Sequence, residues 1–349
     1  MILLTAVLLT ATIKPLPNLR VKGPDLVDPA GKRVLLKGCN LGNWLVIEPW
    51  MLCEVGKIKD QYDLEQILTE RFGAAEDERL MDLYRSSWLT ERDFKVIPSF
   101  GMNVVRLPMN YRLLEDDSAP FKLRKDAWQW IDRAIDMAER NGLYTILDMH
   151  GVQGGQSQYD HTGRSDQNKI WTTPEAQERL AWLWSEIAKR YRTRSAVVAY
   201  DLFNEPYGGT KPQQVALFKQ VYASVRKVDK DKLIYAMGNY DDFTHYGSPK
   251  QNGWHNVGYQ MHYYPGLFGG GDPTVATHAR HLKSLELISN QVKGFNAPFL
   301  VGEMNVVFQR AGGANMMRLT FDTHAKFGWA TTMWSYKVLS EQGGIGDAS

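Results

Sequence analysis

Residues 174–206 read PEAQERLAWLWSEIAKRYRTRSAVVAYDLFNEP, a helical pattern running straight into a strand pattern. Pro174 suits a first helical turn, and Leu180, Leu183, Trp184, Ile187 and Ala188 recur at helical spacing, which predicts a helix over 174–192 with one apolar face. Val198–Phe203 is then an apolar run of strand length, as a buried strand requires. A helix feeding a buried strand is the repeating unit of a parallel sheet.

The same unit recurs along the chain. Short apolar or β-branched runs at Val34–Cys39, Asn103–Leu107, Tyr144–Met149, Val198–Phe203, Leu233–Met237, Gly258–His262, Phe299–Glu303 and Ala330–Trp334 give eight strands. Amphipathic segments near 90–100, 126–141, 174–192, 211–229, 274–293 and 314–327 alternate with them, and a weaker one follows the fifth strand. Right-handed crossovers between eight parallel strands predict an α/β fold, a closed (β/α)8 TIM barrel. An open doubly wound sheet is the alternative, but no G-x-G-x-x-G follows the first strand. Residues 21–36 predict a β-hairpin about the Asp-Pro-Ala-Gly turn, closing the barrel's bottom, and 60–88 form a helical insertion. Fifteen residues follow Trp334 without a helical pattern, so the eighth helix is expected to be missing from a single domain over 20–349.

Composition narrows the function classes. The 349 residues are 44% hydrophobic and 23% charged, which is enough for a large core and excludes a disordered chain. With 41 basic against 39 acidic residues, the net charge of +2 gives no electrostatic reason to expect nucleic acid or an anionic membrane as partner. The only cysteines, Cys39 and Cys53, allow one bridge or two free thiols. No metal-binding spacing occurs and nothing demands a cofactor, so none is expected. No apolar run is long enough to span a bilayer. Residues 2–13, ILLTAVLLTATI, have the apolar character of a secretory signal without its basic start or clear cleavage site; residues 1–19 are therefore read as a signal or a disordered tail.

Catalytic groups in such a barrel sit where strands end and βα loops begin. The polar and aromatic residues at those ends are Asn40 and Asn43, Arg106, Asp148 and His150, Asn204 and Glu205, Tyr240 and Asp241, His262 and Tyr264, Glu303, and Trp334. Glu205 and Glu303 end the fourth and seventh strands, nearly opposite each other. Two carboxyls across a groove suit glycosidic bond cleavage, in which one protonates the leaving oxygen while the other meets the cationic carbon. Taken singly, a strand-end glutamate is more often a solvated carboxylate, His150 and His262 core histidines, and Trp334 packing. Arg106 is a candidate partner of either glutamate. Spacing in sequence does not give the gap that separates retention, about 5 to 5.5 Å, from inversion, about 6.5 to 9.5 Å.

VAYDLFNEPY at 198–207 carries a specific signature, supported in order by NVVRLP at 103–108, DMHG at 148–151, MHYY at 261–264, VGE at 301–303 and MW at 333–334. On these motifs the chain resembles glycoside hydrolase family five from about residue 20 to its end. The resemblance implies that Glu205 is general acid/base, with a raised pKa, and Glu303 the nucleophile of a double displacement. It implies that Asn204 binds the sugar 2-hydroxyl, that Arg106 and Tyr264 keep the nucleophile ionised and oriented, that His150 and His262 shape the subsite, and that Trp334 is its stacking floor.

GCNLGNWLVIEPWM at 38–51 and DMHGVQGGQSQYDHTGR at 148–164 are most similar to the fungal exo-β-1,3-glucanase branch, in which the glutamate matching Glu48 holds the terminal glucose. A β-glucan substrate is implied. Met304-Asn305 after the nucleophile depart from the branch, as does Asn43 in place of its usual glycine, which leaves linkage and exo or endo action open. Trp44, Trp50, Tyr159, Trp171, Trp254 and Phe268 are candidates for outer subsites or for packing. A carbohydrate-binding pseudoenzyme and a transglycosylase are the competing readings.

Overall fold

The helix expected over 174–192 is α5, Pro174–Tyr191, and it is locked to the strand after it. Leu180, Leu183, Trp184, Ile187 and Ala188 are all buried, and the Trp184 indole N–H donates to the Leu202 carbonyl at 2.8 Å. The computed structural model describes residues 15–52, 57–240, 242–268, 271–306 and 312–339.

Eight parallel strands close into a barrel in chain order: β3 (Lys37–Asn40), β4 (Val104–Asn110), β5 (Tyr144–Gly151), β6 (Val197–Asp201), β7 (Leu233–Met237), β8 (Val257–Tyr263), β9 (Phe299–Met304) and β10 (Ala330–Met333), which returns to β3. All eight predicted strands are present, with boundaries shifted by up to three residues. The helices fall close to their expected spans: α3 (Glu91–Val96, continued by a 3-10 turn to Phe100), α4 (Gln129–Arg140), α6 (Lys211–Val228), the short α7 (Pro249–Asn252), α8 (Val275–Phe295) and α9 (Gly313–Phe327). The insertion is a helix pair, α1 (Gln61–Phe72) and α2 (Ala74–Trp88).

The hairpin differs from its prediction in register. β1 (Arg20–Lys22) and β2 (Asp25–Val27) pair antiparallel around Gly23-Pro24, not around Asp-Pro-Ala-Gly. Gly23 sits at φ +59°, a left-handed conformation that glycine adopts without steric cost. The Asp28–Gly31 turn is formed, but beyond it only the Val27–Arg33 bridge continues the pairing. Leu26 and Leu36 nevertheless fill the bottom of the barrel beside Val104, Tyr144, Ile146, Leu233 and Leu300. Residues 15–19, which fell within the expected tail, pack there too: Leu16 and Leu19 lie against this cluster, and the Pro17 carbonyl accepts from Tyr144 at 2.9 Å.

Residues 335–339 after β10 form no helix, and 340–349, where a further helix would be sought, lie outside the described residues. So do residues 1–14, Cys53 and Asp241. Among the described residues no helix is long and apolar enough to cross a membrane.

Candidate active site

Arg106 is the hub of the barrel mouth. Every residue of β4 is buried, and a guanidinium there needs a full set of acceptors because its planar donors lose water entirely. Its Nη1 donates to Glu303 Oε1 at 2.9 Å and Asn40 Oδ1 at 3.0 Å, its Nη2 to Asn204 Oδ1 at 2.8 Å, and its Nε to Asp201 Oδ2 at 3.0 Å. Nη2 also lies 3.1 Å from Asp148. Burial works against the positive charge, but the three surrounding carboxylates raise the pKa and keep it ionised. One cation does not neutralise three anions. Burial, opposed by Arg106, pushes both Asp148 and Asp201 up to about 7.

Glu303, on β9, is held at both oxygens: Oε1 by Arg106 and Oε2 by the Tyr264 hydroxyl at 2.7 Å. Arg106 thus takes Glu303, not Glu205, as its carboxylate partner. Across the ladder a register shift between Met261 and His262 sets His262 opposite Glu303. The His262 ring then reaches Glu205, with Nδ1 2.8 Å from Oε1, while staying 3.5 Å from Glu303 Oε2. Oxygens of the two glutamates and the His262 nitrogen lie within 4.8 Å of one another. This is the spacing an ion would require, yet each Glu303 oxygen already accepts a hydrogen bond, from Arg106 or Tyr264, and the contact of His262 with Glu205 is an ordinary hydrogen bond. No cation is needed to account for the cluster.

Glu205 lies beyond β6, where the chain leaves the ladder. Its φ of +37° is uncommon for a residue with a side chain, and the surroundings hold it there. Asn204 N–H donates to Met149 O at 3.1 Å, and the Gln156 amide donates to the carbonyls of both Asn204 and His150, at 2.9 and 2.6 Å. Burial raises the Glu205 pKa, against the lowering influence of His161, Arg106 and the hydrogen-bonded Tyr207. His262 is pushed the other way, down to about 3, again chiefly by burial. The site therefore pairs a carboxyl whose pKa is shifted upward with an imidazole whose pKa is shifted downward, both by burial.

The other predicted residues line the same space. His150 Nδ1 contacts Asp148 at 2.6 Å, its Nε2 faces the Asn204 amide at 3.3 Å, and its ring stacks on Trp334 with centroids 5.4 Å apart. Trp334 is buried, with its ring against His150. Glu48 is buried beside them. Its Oε2 accepts from Trp50 at 2.8 Å, and burial followed by the negative charge of Asp160 raises its pKa well above the usual carboxylate range. Asn43 stands at φ +57° and accepts from the Glu48 N–H at 2.8 Å; asparagine tolerates that conformation better than other side-chain-bearing residues, which explains its replacing a glycine.

Of the candidates for outer subsites, Trp44 and Trp171 are core residues, and Trp254 packs on Phe218 and Tyr222. Tyr159 and Phe268 are exposed, joined by Tyr240, which stacks on Tyr207 at 3.9 Å. Sequence reasoning gave no role to Asp201, His161 or Tyr207. A charged residue ending the apolar run VVAYD was the available signal for Asp201. His161 and Tyr207 lie inside the quoted stretches 148–164 and 198–207, but neither ends a strand, and no role attached to either.

Comparison with known proteins agrees with this architecture. The family model described as Cellulase (glycosyl hydrolase family 5) matches residues 74–340. A β-xylosidase of Phanerodontia chrysosporium is 32% identical over 267 residues, covering 75% of this chain and 55% of the relative. This chain thus spans little more than half of that relative's length. A probable glucan 1,3-β-glucosidase A of Aspergillus clavatus is 28% identical over 309 residues, 85% of this chain and 71% of the relative. Among solved structures, a rutinosidase from Aspergillus niger superposes with a TM-score of 0.72 at 14% identity, covering 89% of this chain and 92% of its own, which speaks to the fold alone. Since the matched span contains β4 to β10 and both strand-end glutamates, the chain belongs to the cellulase family, glycosyl hydrolase family 5.

Proposed function

We propose that this chain is a retaining β-glycosidase acting on a β-glucan, with β-1,3-linked glucose the favoured substrate. The observation that carries the reading is the separation of the two carboxylates. Oxygens of Glu205 and Glu303 lie within 4.8 Å, near the roughly 5 to 5.5 Å of retaining enzymes and short of the roughly 6.5 Å or more that an inverting enzyme needs to admit water. Glu303, oriented by Arg106 and Tyr264, attacks the anomeric carbon. Glu205, whose protonated form burial favours, gives its proton to the leaving oxygen, and then as carboxylate takes one from the water that releases the sugar.

Asn204, His150, His262, Trp334 and Glu48 are read as the residues around the reacting sugar. The Asn204 oxygen accepts from Arg106 and its amide nitrogen lies 3.3 Å from His150 Nε2, which leaves its second N–H for a sugar hydroxyl. The relatives named glucan 1,3-β-glucosidase support glucose and the 1,3 linkage. The relative named β-xylosidase favours a second reading, in which the sugar lacks the hydroxymethyl group.

The test is incubation with β-1,3-, β-1,6- and β-1,4-glucans and with β-xylo-oligosaccharides, following the anomer released by NMR at early times. Early β-anomer from a glucan supports the proposal and names the linkage. Early α-anomer rules out retention, and turnover confined to xylosides moves the substrate to the second reading. Binding to glucan without turnover would make the chain a carbohydrate-binding pseudoenzyme.

A further inference from the structure

Glu205 faces an imidazole at each of its two oxygens, and only one of them, His262, belongs to a motif with an expected role. The second is His161, in the 3-10 turn Asp160–Thr162 that follows β5. Its Nδ1 lies 3.6 Å from Glu205 Oε2, and its Nε2 lies 2.9 Å from the Ser157 hydroxyl. Ser157 is 1% exposed. The turn itself is pinned from two directions: Asn110 on β4 donates to the Thr162 carbonyl at 2.9 Å, and the Tyr62 N–H of α1 donates to Gly163 O at 3.0 Å. The insertion α1–α2 therefore helps to set where His161 stands.

We propose that His161, with its tautomer set by Ser157, is a positioning residue that presents an N–H to the Oε2 oxygen of Glu205 and favours the ionised carboxylate of the second catalytic step. The inference rests on Glu205 being the acid/base. A hydroxyl can turn its proton toward Nε2, which leaves the ring proton on Nδ1, the nitrogen that faces Glu205. Burial holds His161 neutral, pushing its pKa down to about 4, so the contribution is that of an N–H dipole rather than of a full charge. At 3.6 Å the contact is electrostatic, within the range of catalytic contacts in free enzymes, which are often longer than a full hydrogen bond.

The reason for such a device lies in the two duties of Glu205. Burial favours the protonated acid needed first and opposes the carboxylate needed second. A donor at each oxygen limits that bias. The other groups facing Glu205 are the Tyr207 phenol on its own segment, His262 from β8 and the Tyr264 phenol just after it, the Tyr240 phenol from the segment after β7, Arg106 from β4, Glu303 from β9, Asp148 from β5 and Glu48 from the segment after β3. Of these, Glu303, Asp148 and Glu48 are carboxyls that raise its pKa when ionised. His161 stands on the side of the carboxyl away from His262.

The experiment titrates Glu205 directly. The chain is labelled with 13C at glutamate side-chain carbonyls, and the Glu205 signal is identified by its loss in Glu205→Gln. Its titration is followed in the wild type, His161→Ala, His161→Asn and Ser157→Ala. Removing the imidazole is expected to move the midpoint up by about half a pH unit or more. Asparagine, whose amide nitrogen takes the place of Nδ1, should return it toward the wild-type value. The alkaline limb of kcat/KM should move with the midpoint. An unchanged Glu205 titration in His161→Ala overturns the proposal, as does a shift that asparagine leaves fully in place. If His161→Ala does not fold, Ser157→Ala carries the test: a smaller upward shift supports the proposal and no shift overturns it. Because the titration needs no turnover, a chain inactive on every glucan but showing the shift would refute the assigned activity while leaving the His161 contact standing.

Discussion

A single imidazole spans the two carboxylates of the site: His262 Nδ1 stands 2.8 Å from Glu205 and 3.5 Å from Glu303. His262→Ala removes the hydrogen-bond partner of Glu205 Oε1 and leaves two carboxyls facing each other in a buried space. We expect kcat/KM on the preferred glucan to fall about 3- to 10-fold, the worth of a hydrogen bond between neutral groups, about 0.5 to 1.5 kcal/mol. Steady-state kinetics check this, and wild-type rates in the variant would contradict the bridging role.

In the proposed mechanism Glu205 protonates the leaving group, so its importance depends on what leaves. Glu205→Ala should lose nearly all activity on glucan but still form the covalent intermediate from a dinitrophenyl glycoside, which departs without a proton. Azide should then accelerate turnover and give the β-glycosyl azide. Recovery of the α-azide would mean that no covalent intermediate forms.

Tyr264→Phe deletes only the hydroxyl that donates to Glu303 Oε2 at 2.7 Å. Its ring still packs edge-on against Phe268. The expected outcome is a loss of about 10- to 100-fold in kcat with a melting temperature within about 2 °C of wild type. A melting temperature lowered much further would make the hydroxyl structural instead.

The pH profile follows from the direction of one shift. Burial raises Glu205, so the proton needed for leaving-group departure persists to higher pH than an ordinary glutamate allows. Activity on glucan should fall as pH rises through that raised value, giving the alkaline limb. With a dinitrophenyl glycoside the limb should flatten for the first step. A limb identical on both substrates would assign it to another group.

Gly38 tests barrel closure. A Cβ at this position would sit 1.7 Å from the Val104 carbonyl oxygen on the neighbouring strand, a backbone atom that a side-chain rotation does not move. Gly38→Ala should break the β3–β4 pairing and yield insoluble or molten protein, judged by near-UV circular dichroism and the thermal transition. A cooperative melt close to that of wild type would show that β3 has room to shift.

How far the site was legible in the sequence varies with the kind of residue. Glu205, Glu303, Arg106, His150, Asn204, His262 and Tyr264 were legible because each ends or follows an apolar strand run, where a barrel opens. Asp201 was less so, since a carboxylate on a buried strand reads as an anomaly until the Arg106 guanidinium is seen 2.8 Å away. His161 stands within the quoted 148–164 stretch, but its role was illegible, because it is carried by a turn and placed by contacts from β4 and α1 that are distant in sequence. Trp44 and Trp171, read as equally suited to a sugar or to packing, are buried on the core side.

Sequence alone determined the order of strands and helices, since apolar spacing reports which face of each element must leave water. It also determined which chemical groups stand at the strand ends. Tertiary structure alone decided that Arg106 serves Glu303 rather than Glu205, that Gly23 and not the Asp-Pro-Ala-Gly turn centres the hairpin, and that the two carboxylates come within 4.8 Å. The physical reason is the same in each case. Periodicity within a segment records its own burial, whereas distances between side chains on the fourth and seventh barrel strands depend on strand register and closure, and these are properties of all eight strands together.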